Sequence, residues 1–339
     1  MRLIKTEDAV GHVLCHDMTQ IIKDQYKDAR FRKGHVVTEE DIPVLLSMGK
    51  EHLYVWEMTP GMVHENDAAE RLLALCGQEN MIRSGVKEGK IELKAACDGV
   101  FLVDSARLVA VNSQDEVMIA TRKGGMAVRE GDKLAGMRVI PLIIEEEKLR
   151  KAEQAAGDKP LLSLKPYVRK TACIVATGGE VKKGLIKDTF TPVVIDKLKT
   201  YGIETLEVVY SGDGVENVRD AVLAMREKKP DMILCTGGMS VDPDDNTPGG
   251  IKAAGANIIA YGAPVLPGAM FLLGYFDDGM PVMGLPGCVM YAGATVFDLV
   301  LPKIAADVPV TRADLAALGE GGLCLGCKPC RYPVCPFGK

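Results

Sequence analysis

Basic charge is in short supply: 41 lysines and arginines stand against 46 acidic residues, for a formal net charge of -5. Proteins that hold nucleic acid draw their affinity from basic surface, so this balance argues against such a partner. No apolar run approaches the roughly 20 residues that a membrane helix needs. The opening Met1-Arg2-Leu3-Ile4-Lys5-Thr6-Glu7-Asp8 lacks the apolar centre of a secretion signal. No nucleic acid, no membrane and a cytoplasmic setting are the resulting expectations. What is present is globular material, 47% hydrophobic and 26% charged, and 339 residues suffice for two domains with cores of their own. Of the ten cysteines, Cys15, Cys76, Cys97, Cys173, Cys235 and Cys288 are scattered, most of them in apolar runs where a thiol behaves as a small hydrophobe. Cys324, Cys327, Cys330 and Cys335 crowd the end, and in a reducing compartment such crowding suggests a metal rather than disulfides.

The stretch that organises the chain is Thr236-Gly237-Gly238-Met239-Ser240-Val241-Asp242-Pro243-Asp244-Asp245-Asn246-Thr247-Pro248. A short apolar run over 232–235 precedes it, long enough only for a buried strand. Thr247-Pro248 reads as a helix start, with a hydroxyl N-cap and proline at the first helical position. A glycine pair therefore sits at a strand end, where backbone N–H groups can approach an anion. Asp242, Asp244 and Asp245 would repel that anion unless a metal or a proton lay between. The pattern suits a phosphate-bearing ligand handled with metal help.

Taken in order, residues 1–63 hold a basic piece around Arg30-Phe31-Arg32-Lys33-Gly34, then a helix capped by Thr38 and closed by Gly49, then a strand over 52–56. A helix over 66–76 shows an apolar face of Ala69, Leu72, Leu73 and Cys76. His64 and Glu65 precede it, and ordinary loop chemistry outweighs a metal role there. Short strands at 91–94, 100–103, 117–121, 126–129 and 137–144, separated by glycine turns, predict a small β-rich domain over 64–150. A charged helix over 145–154 leads into a linker placed at 151–166, centred on Gly157-Asp158-Lys159-Pro160. From 167 to 308 strands alternate with helices, which implies a mostly parallel sheet with helices on both faces, an α/β domain. A hairpin over 271–284 and a long apolar helix from 287 to about 301 close it. Ligands bind such sheets beyond the carboxyl ends of the strands. Three loops point there: Thr177-Gly178-Gly179-Glu180, Thr236-Gly237-Gly238 and Leu285-Pro286-Gly287, with Glu180, Asp188, Asp213 and Asp245 in loops of the same unit.

Thr236-Gly237-Gly238 with Asp245 and Thr247-Pro248 resembles the T-G-G…D-x-T-P signature of the molybdopterin-binding fold, shared by molybdenum-cofactor adenylyltransferases and gephyrin-type molybdopterin molybdotransferases. Gly184-Leu185-Ile186-Lys187-Asp188-Thr189 resembles the family's G-x-x-x-D-[ST], Thr177-Gly178-Gly179-Glu180 the transferase T-G-D-E, and Gly284-Leu285-Pro286-Gly287 its G-L-P-G. The segment from Arg32 to Trp56 is similar to the piece preceding this domain in molybdotransferases. Two departures stand out: Gly179 replaces the first acid of T-G-D-E, and the D-N-S-A-M-D-G-Y segment that completes the transferase site across a dimer has no counterpart. The resemblance implies a substrate, adenylylated molybdopterin, that takes up molybdate as its phosphoanhydride is hydrolysed and AMP leaves. It implies substrate contacts at Thr177, Gly178, Gly179, Asp188, Thr189, Thr236, Gly237, Gly238, Ser240, Pro267, Gly268, Pro286 and Gly287. Glu180, Asp213 and Asp245 fall in the catalytic positions, with Mg²⁺ at Asp245, since that ion favours carboxylate and phosphate oxygens. A homo-oligomer follows from the same likeness. The alternatives are a carrier or sensor that delivers finished molybdopterin to a client molybdoenzyme, and adenylyl transfer itself.

The tail over 309–339 carries C-x₂-C-x₂-C-x₄-C, one residue longer at its last gap than the ferredoxin run C-x₂-C-x₂-C-x₃-C-P. An Fe–S cluster and zinc are both expected ligands of four thiolates, the alternative being a redox-sensitive tail without metal.

Overall fold

A computed structural model describes residues 2–22, 26–55, 60–240 and 246–339. They fall into two units. The first takes the residues up to Ala96 with Val103–Gly124 and Gly131–Ser163; the second takes Cys97–Leu102, Gly125–Glu130 and Leu164–Lys339. No helix among the described residues is long and apolar enough to cross a membrane.

In the first unit, β1 (Arg2–Lys5), the hairpin β2 (Met18–Ile22) and β3 (Tyr26–Phe31), α1 (Asp41–Ser47) and β4 (His52–Val55) enclose a small core of Leu14, Val37, Leu45, Leu53 and Val55. Then come β5 (Met62–His64), α2 (Glu65–Cys76), β6 (Met81–Arg83) and β7 (Ile91–Ala95), followed by β8 (Gly99–Val103), α3 (Ser105–Asn112), β9 (Val117–Thr121) and β10 (Met126–Val128), of which β8 as far as Leu102 and β10 belong to the second unit. The run ends in β11 (Lys133–Val139), β12 (Ile143–Glu145), α4 (Glu146–Ala156) and β13 (Leu162–Pro166), the last passing into the second unit at Leu164. The main sheet is ordered β6-β7-β11-β9. Helix α2 keeps its expected face: Ala69, Leu72, Leu73 and Cys76 are all buried. The expectation of strands alone over this region is corrected by α3, whose first turn Asp104 caps by accepting from the Arg107 amide at 3.1 Å. The linker placed at 151–166 is mostly regular structure, because α4 runs on to Ala156 and Leu162 and Leu164 point inward from β13.

His64 is a helix cap. Its Nδ1 accepts from the Asn66 amide at 3.1 Å and lies 3.2 Å from Lys33 Nζ, while Nε2 donates to the Cys15 carbonyl at 2.6 Å. Burial, with the Lys33 charge in support, holds its pKa below the ordinary 6.5 despite the Cys15 bond. The unfolded chain therefore takes up this proton first; the stabilisation is complete above about pH 6.5 and is lost as pH falls through the lower folded value. Amide exchange in α2 should accelerate on going from about pH 7.5 to about pH 5.5 beyond the intrinsic rate change. His64→Asn, a capping residue that cannot ionise, should remove that difference; an unchanged difference would locate the proton elsewhere.

The second unit is built on β14 (Thr171–Thr177), the single-turn α5 (Gly179–Lys182), α6 (Phe190–Lys199), β15 (Glu204–Ser211), α7 (Val215–Glu227) and β16 (Met232–Thr236). It continues with α8 (Thr247–Ala253), β17 (Asn257–Tyr261), β18 (Leu272–Tyr275), β19 (Pro281–Leu285), α9 (Val296–Ala305) and α10 (Arg312–Ala317). Six strands form one sheet in the order β15-β14-β16-β19-β18-β17, in which β15, β14, β16 and β19 run parallel. The expected hairpin is β18–β19, antiparallel. Alternation along each strand sorts the core. Ala172, Ile174, Met232 and Leu234 pack with α6 and α9 on one face, whereas Cys173, Val175, Ile233 and Cys235 pack with α7 and α8 on the other. Each fully buried Leu, Ile or Val contributes roughly 1.5–3 kcal/mol, which is why these near-continuous apolar runs fold as central parallel strands. The long helix expected from 287 is corrected: a 3₁₀ turn occupies Gly287–Met290, and α9 starts afresh at a capping box of Thr295 and Asp298.

Candidate functional site at the carboxyl edge of the sheet

The register places Thr177 opposite Ser211, Thr236 opposite Ala176, and Leu285 opposite Thr236. All the loops singled out in the sequence therefore leave the sheet at one edge. The connection after β14 runs to β15 over the α6 face, and that after β15 crosses to β16 over the α7 face. Strand order reverses between β14 and β16, and a crevice opens at such a reversal.

Three threonines tie the crevice together. Thr177 Oγ1 donates to the Thr236 carbonyl at 2.9 Å, Thr247 Oγ1 donates to the Gly237 carbonyl at 2.9 Å, and the two hydroxyls lie 3.1 Å apart. The Thr247 amide donates to the Gly238 carbonyl at 3.2 Å. Thr177, Thr236 and Thr247 are all buried, so their hydroxyls and carbonyls brace the loops from within. Gly237 has φ +82°, and a Cβ there would stand 2.4 Å from the Thr177 carbonyl oxygen; at Gly238 (φ +57°) it would stand 2.6 Å from Thr247 Oγ1. Side chains larger than hydrogen are excluded at both positions. The helix start is shifted by one from the expected place: Asn246 is the N-cap of α8, and Pro248 lies in its first turn. Thr247's hydroxyl turns back to the glycine loop instead of capping.

The first loop is closed by its neighbour. The Gly178 amide donates to the Ser211 carbonyl at 3.3 Å and the Gly179 amide to Asp213 Oδ2 at 2.9 Å. A Cβ on Gly179 would lie 2.7 Å from that oxygen. Glycine at this position is thus what admits Asp213, so a carboxylate is present at this loop but arrives from the connection between β15 and α7. The Gly178 amide, expected to offer a donor, and that of Gly179 are both engaged within the fold. Glu180, in the turn α5, and Asp213 are exposed.

Asp188 caps α6, accepting from the Phe190 and Thr191 amides at 2.9 and 3.0 Å and from the Tyr210 hydroxyl at 3.3 Å. Burial pushes its carboxyl up, but the donors of Thr191, Phe190 and Tyr210 outweigh burial and hold it below the ordinary value. Thr189 Oγ1 reaches Met290 Sδ at 3.1 Å, joining this loop to the 3₁₀ turn that begins at Gly287. Gly287 is exposed, and a Cβ on it would meet nothing within 4 Å, whereas Pro286 is buried. Ser240 is exposed at the second loop, and its carbonyl and that of Met239 face the Tyr261 hydroxyl at 3.5 and 3.0 Å. Pro267 and Gly268 reach the edge as well, but Gly268 is buried against α9, where a Cβ would stand 2.6 Å from Val296 Cγ1. It serves packing. Asp245, with Asp242 and Asp244, lies outside the described residues. Sequence reasoning missed Tyr210 and Tyr261, the phenols that fix these loops; their one signal is an aromatic residue at the last or next-to-last position of a strand.

Among the described residues, no three Cys, His, Asp or Glu side chains close on a point as a ready ion cage. Cys324, Cys327, Cys330 and Cys335 nevertheless line a single cavity of about 250 Å³.

Residues 173–306 match the family model described as a probable molybdopterin binding domain, and residues 3–57 match a domain of unknown function, DUF8806. A CinA-like protein of Mycobacterium tuberculosis is 33% identical over 76 residues, 22% of this chain and 18% of its own length. One of Petrotoga mobilis is 32% identical over 76 residues, 22% and 19% of the two chains. The chain thus spans about a fifth of the length of the curated relatives it matches. Among solved structures, the molybdopterin biosynthesis Mog protein of Mycobacterium ulcerans is 20% identical, with 41% of this chain and 99% of that one covered and a TM-score of 0.35. A molybdenum cofactor biosynthesis protein of Pyrococcus furiosus is 13% identical, with 93% and 64% covered and a TM-score of 0.27.

Proposed function

Because residues 173–306 belong to the molybdopterin-binding domain family, we propose that this chain binds adenylylated molybdopterin at the carboxyl edge of its sheet and inserts molybdate as AMP is released. The observation that carries the reading is the shared carboxyl edge of β14, β16 and β19, which the loops of Gly237–Gly238 and Gly287 leave together with those of Glu180 and Asp213. Backbone donors suit a pyrophosphate because they bring no side chain between chain and ligand. With Gly178 and Gly179 engaged, that role falls to the second and third loops.

Glu180 and Asp213 are hard, exposed carboxylates on neighbouring loops, and a Mg²⁺ ion is commonly held by one or two carboxylates together with substrate phosphates. Such a donor pair fits the ion without a closed protein cage. Bound there, Mg²⁺ would neutralise charge developing on the anhydride; Glu180, Asp213 and Asp245 are the residues that would hold it. The braced loops orient the pterin phosphate, and the exposed acids admit the water that cleaves the anhydride.

Glu180→Gln and Asp245→Asn should each lower molybdate-dependent AMP release by about a hundredfold while leaving pterin affinity largely intact. Chromatography of released AMP and equilibrium dialysis of the pterin measure the two quantities. AMP release unchanged in both variants would remove the acids from the chemistry. The Asp213–Gly179 bond favours a second reading, in which this loop is shut for chemistry and the chain carries finished cofactor to a client molybdoenzyme. Pterin bound by the wild-type chain without any molybdate-dependent AMP release would select it.

A further inference from the structure

We propose that the carboxyl-terminal segment is a built iron–sulfur site, in which Cys324, Cys327, Cys330 and Cys335 hold one [4Fe–4S] cluster. The segment is anchored at both ends. Leu323 bridges to Leu266, whose carbonyl accepts from the Cys324 amide at 2.8 Å, and the Gly338 amide donates to the Gly321 carbonyl at 2.9 Å. Between these ties, Phe337 is buried in the core of the second unit, and the Tyr332 hydroxyl donates to the Asp298 carbonyl at 3.0 Å. A chain end held at so many points pays its ordering entropy in the folded state already, which a trailing, unstructured end does not do.

What the anchors enclose is a cavity of about 250 Å³ to which all four thiols contribute, walled also by Leu325, Tyr332, Val334 and Phe337. Room for Cys330 comes from Gly293, where a Cβ would stand 2.8 Å from its sulfur. The size of the cavity and the spacing of the cysteines along the chain favour a cluster. A zinc ion with bonds near 2.3 Å draws four sulfurs to within about 3.8 Å of one another. A cubane cluster stands between its cysteines and keeps their sulfurs apart. A water molecule takes about 30 Å³ of the liquid, so the cavity is several times what one ion displaces. The surroundings suit a cluster as well: the cavity lining is mostly apolar, and in the sequence Lys328 and Arg331 stand beside the cysteines of a centre whose four thiolates leave it negative. C-x₂-C-x₂-C supplies three ligands from one tight loop, and the longer gap before Cys335 spans Tyr332, which is fixed to Asp298.

The test uses the full chain, reconstituted without oxygen with excess ferric iron, sulfide and a dithiol reductant in zinc-free buffer and then desalted. The expected product carries about four iron and four acid-labile sulfide per chain, with broad visible charge-transfer absorption that bleaches on dithionite reduction. Cys327→Ser combined with Cys330→Ser changes two exposed thiols outside the core; it should reduce the iron to background with an unchanged far-UV circular dichroism spectrum. Three results overturn the proposal: a wild-type chain that takes up no iron, one purified with a single zinc that iron and sulfide do not replace, or a double variant that retains full iron.

Discussion

Gly237→Ala should abolish pterin binding and destabilise the second unit by about 3 kcal/mol, the combined scale of left-handed strain and overpacking. Its φ of +82° already disfavours a side chain, and the added methyl would lie 2.4 Å from the Thr177 carbonyl oxygen and 2.8 Å from Thr177 Oγ1. Backbone atoms cannot move aside as the end of a long side chain can. Relief requires the β16 loop to part from β14, which breaks the Thr177–Thr236 bond and spoils the crevice. Gly287→Ala is the companion variant: nothing lies within 4 Å of its Cβ position, so stability should change by less than about 0.5 kcal/mol while affinity falls through the intruding methyl. Thermal melts and equilibrium dialysis separate the two effects. A Gly237→Ala chain that holds the pterin at wild-type strength would refute the placement of the site.

A loss of about 3–5 kcal/mol is expected for Asp298→Ala, the range for breaking a buried ion pair. One carboxylate oxygen lies 2.5 Å from Lys197 Nζ, with the two side chains 16% and 12% exposed. The other accepts from the Thr295 amide at 2.8 Å and so completes the capping box of α9. Removing it leaves a half-buried ammonium without its anion and a helix amide without its acceptor. Asp298→Ala combined with Lys197→Met should be less damaging than Asp298→Ala alone, because the stranded charge leaves with the lysine. Urea titration of the three variants measures the difference. Equal losses in the single and double variants would mean that the cap, and not the pair, carries the energy.

How much of this could be read from the chain itself follows the range of the interactions involved. β14 and β16 were legible because strands buried on both sides are apolar throughout, and α2 because its face repeats with helical spacing. The convergence of Gly237, Gly238 and Gly287 on one edge followed from strand–helix alternation alone. Helix α3 was hidden because its Ala-Arg-Leu-Val-Ala-Val run is too short and too apolar to distinguish from a strand. The closure of Gly179 by Asp213 was hidden for a different reason. It joins positions 34 residues apart, and a glycine pair after a strand reads the same whether its amides face a ligand or a neighbouring carboxylate. Asp188 looked like a ligand contact in the motif; the structure adds that the helix it starts holds its carboxylate on two amides.

The second unit is discontinuous along the chain. Strands β8 and β10 form a sheet with β13 in the order β10-β8-β13, and the Tyr167 hydroxyl donates to the Gly99 carbonyl at 2.9 Å. During vectorial synthesis these two strands emerge long before their partner and must wait with unpaired edges, the condition under which nascent chains pair wrongly or need a chaperone. A fragment started at residue 167 would leave that sheet behind altogether, so dissection of this protein has to respect its interleaving and not its linear order.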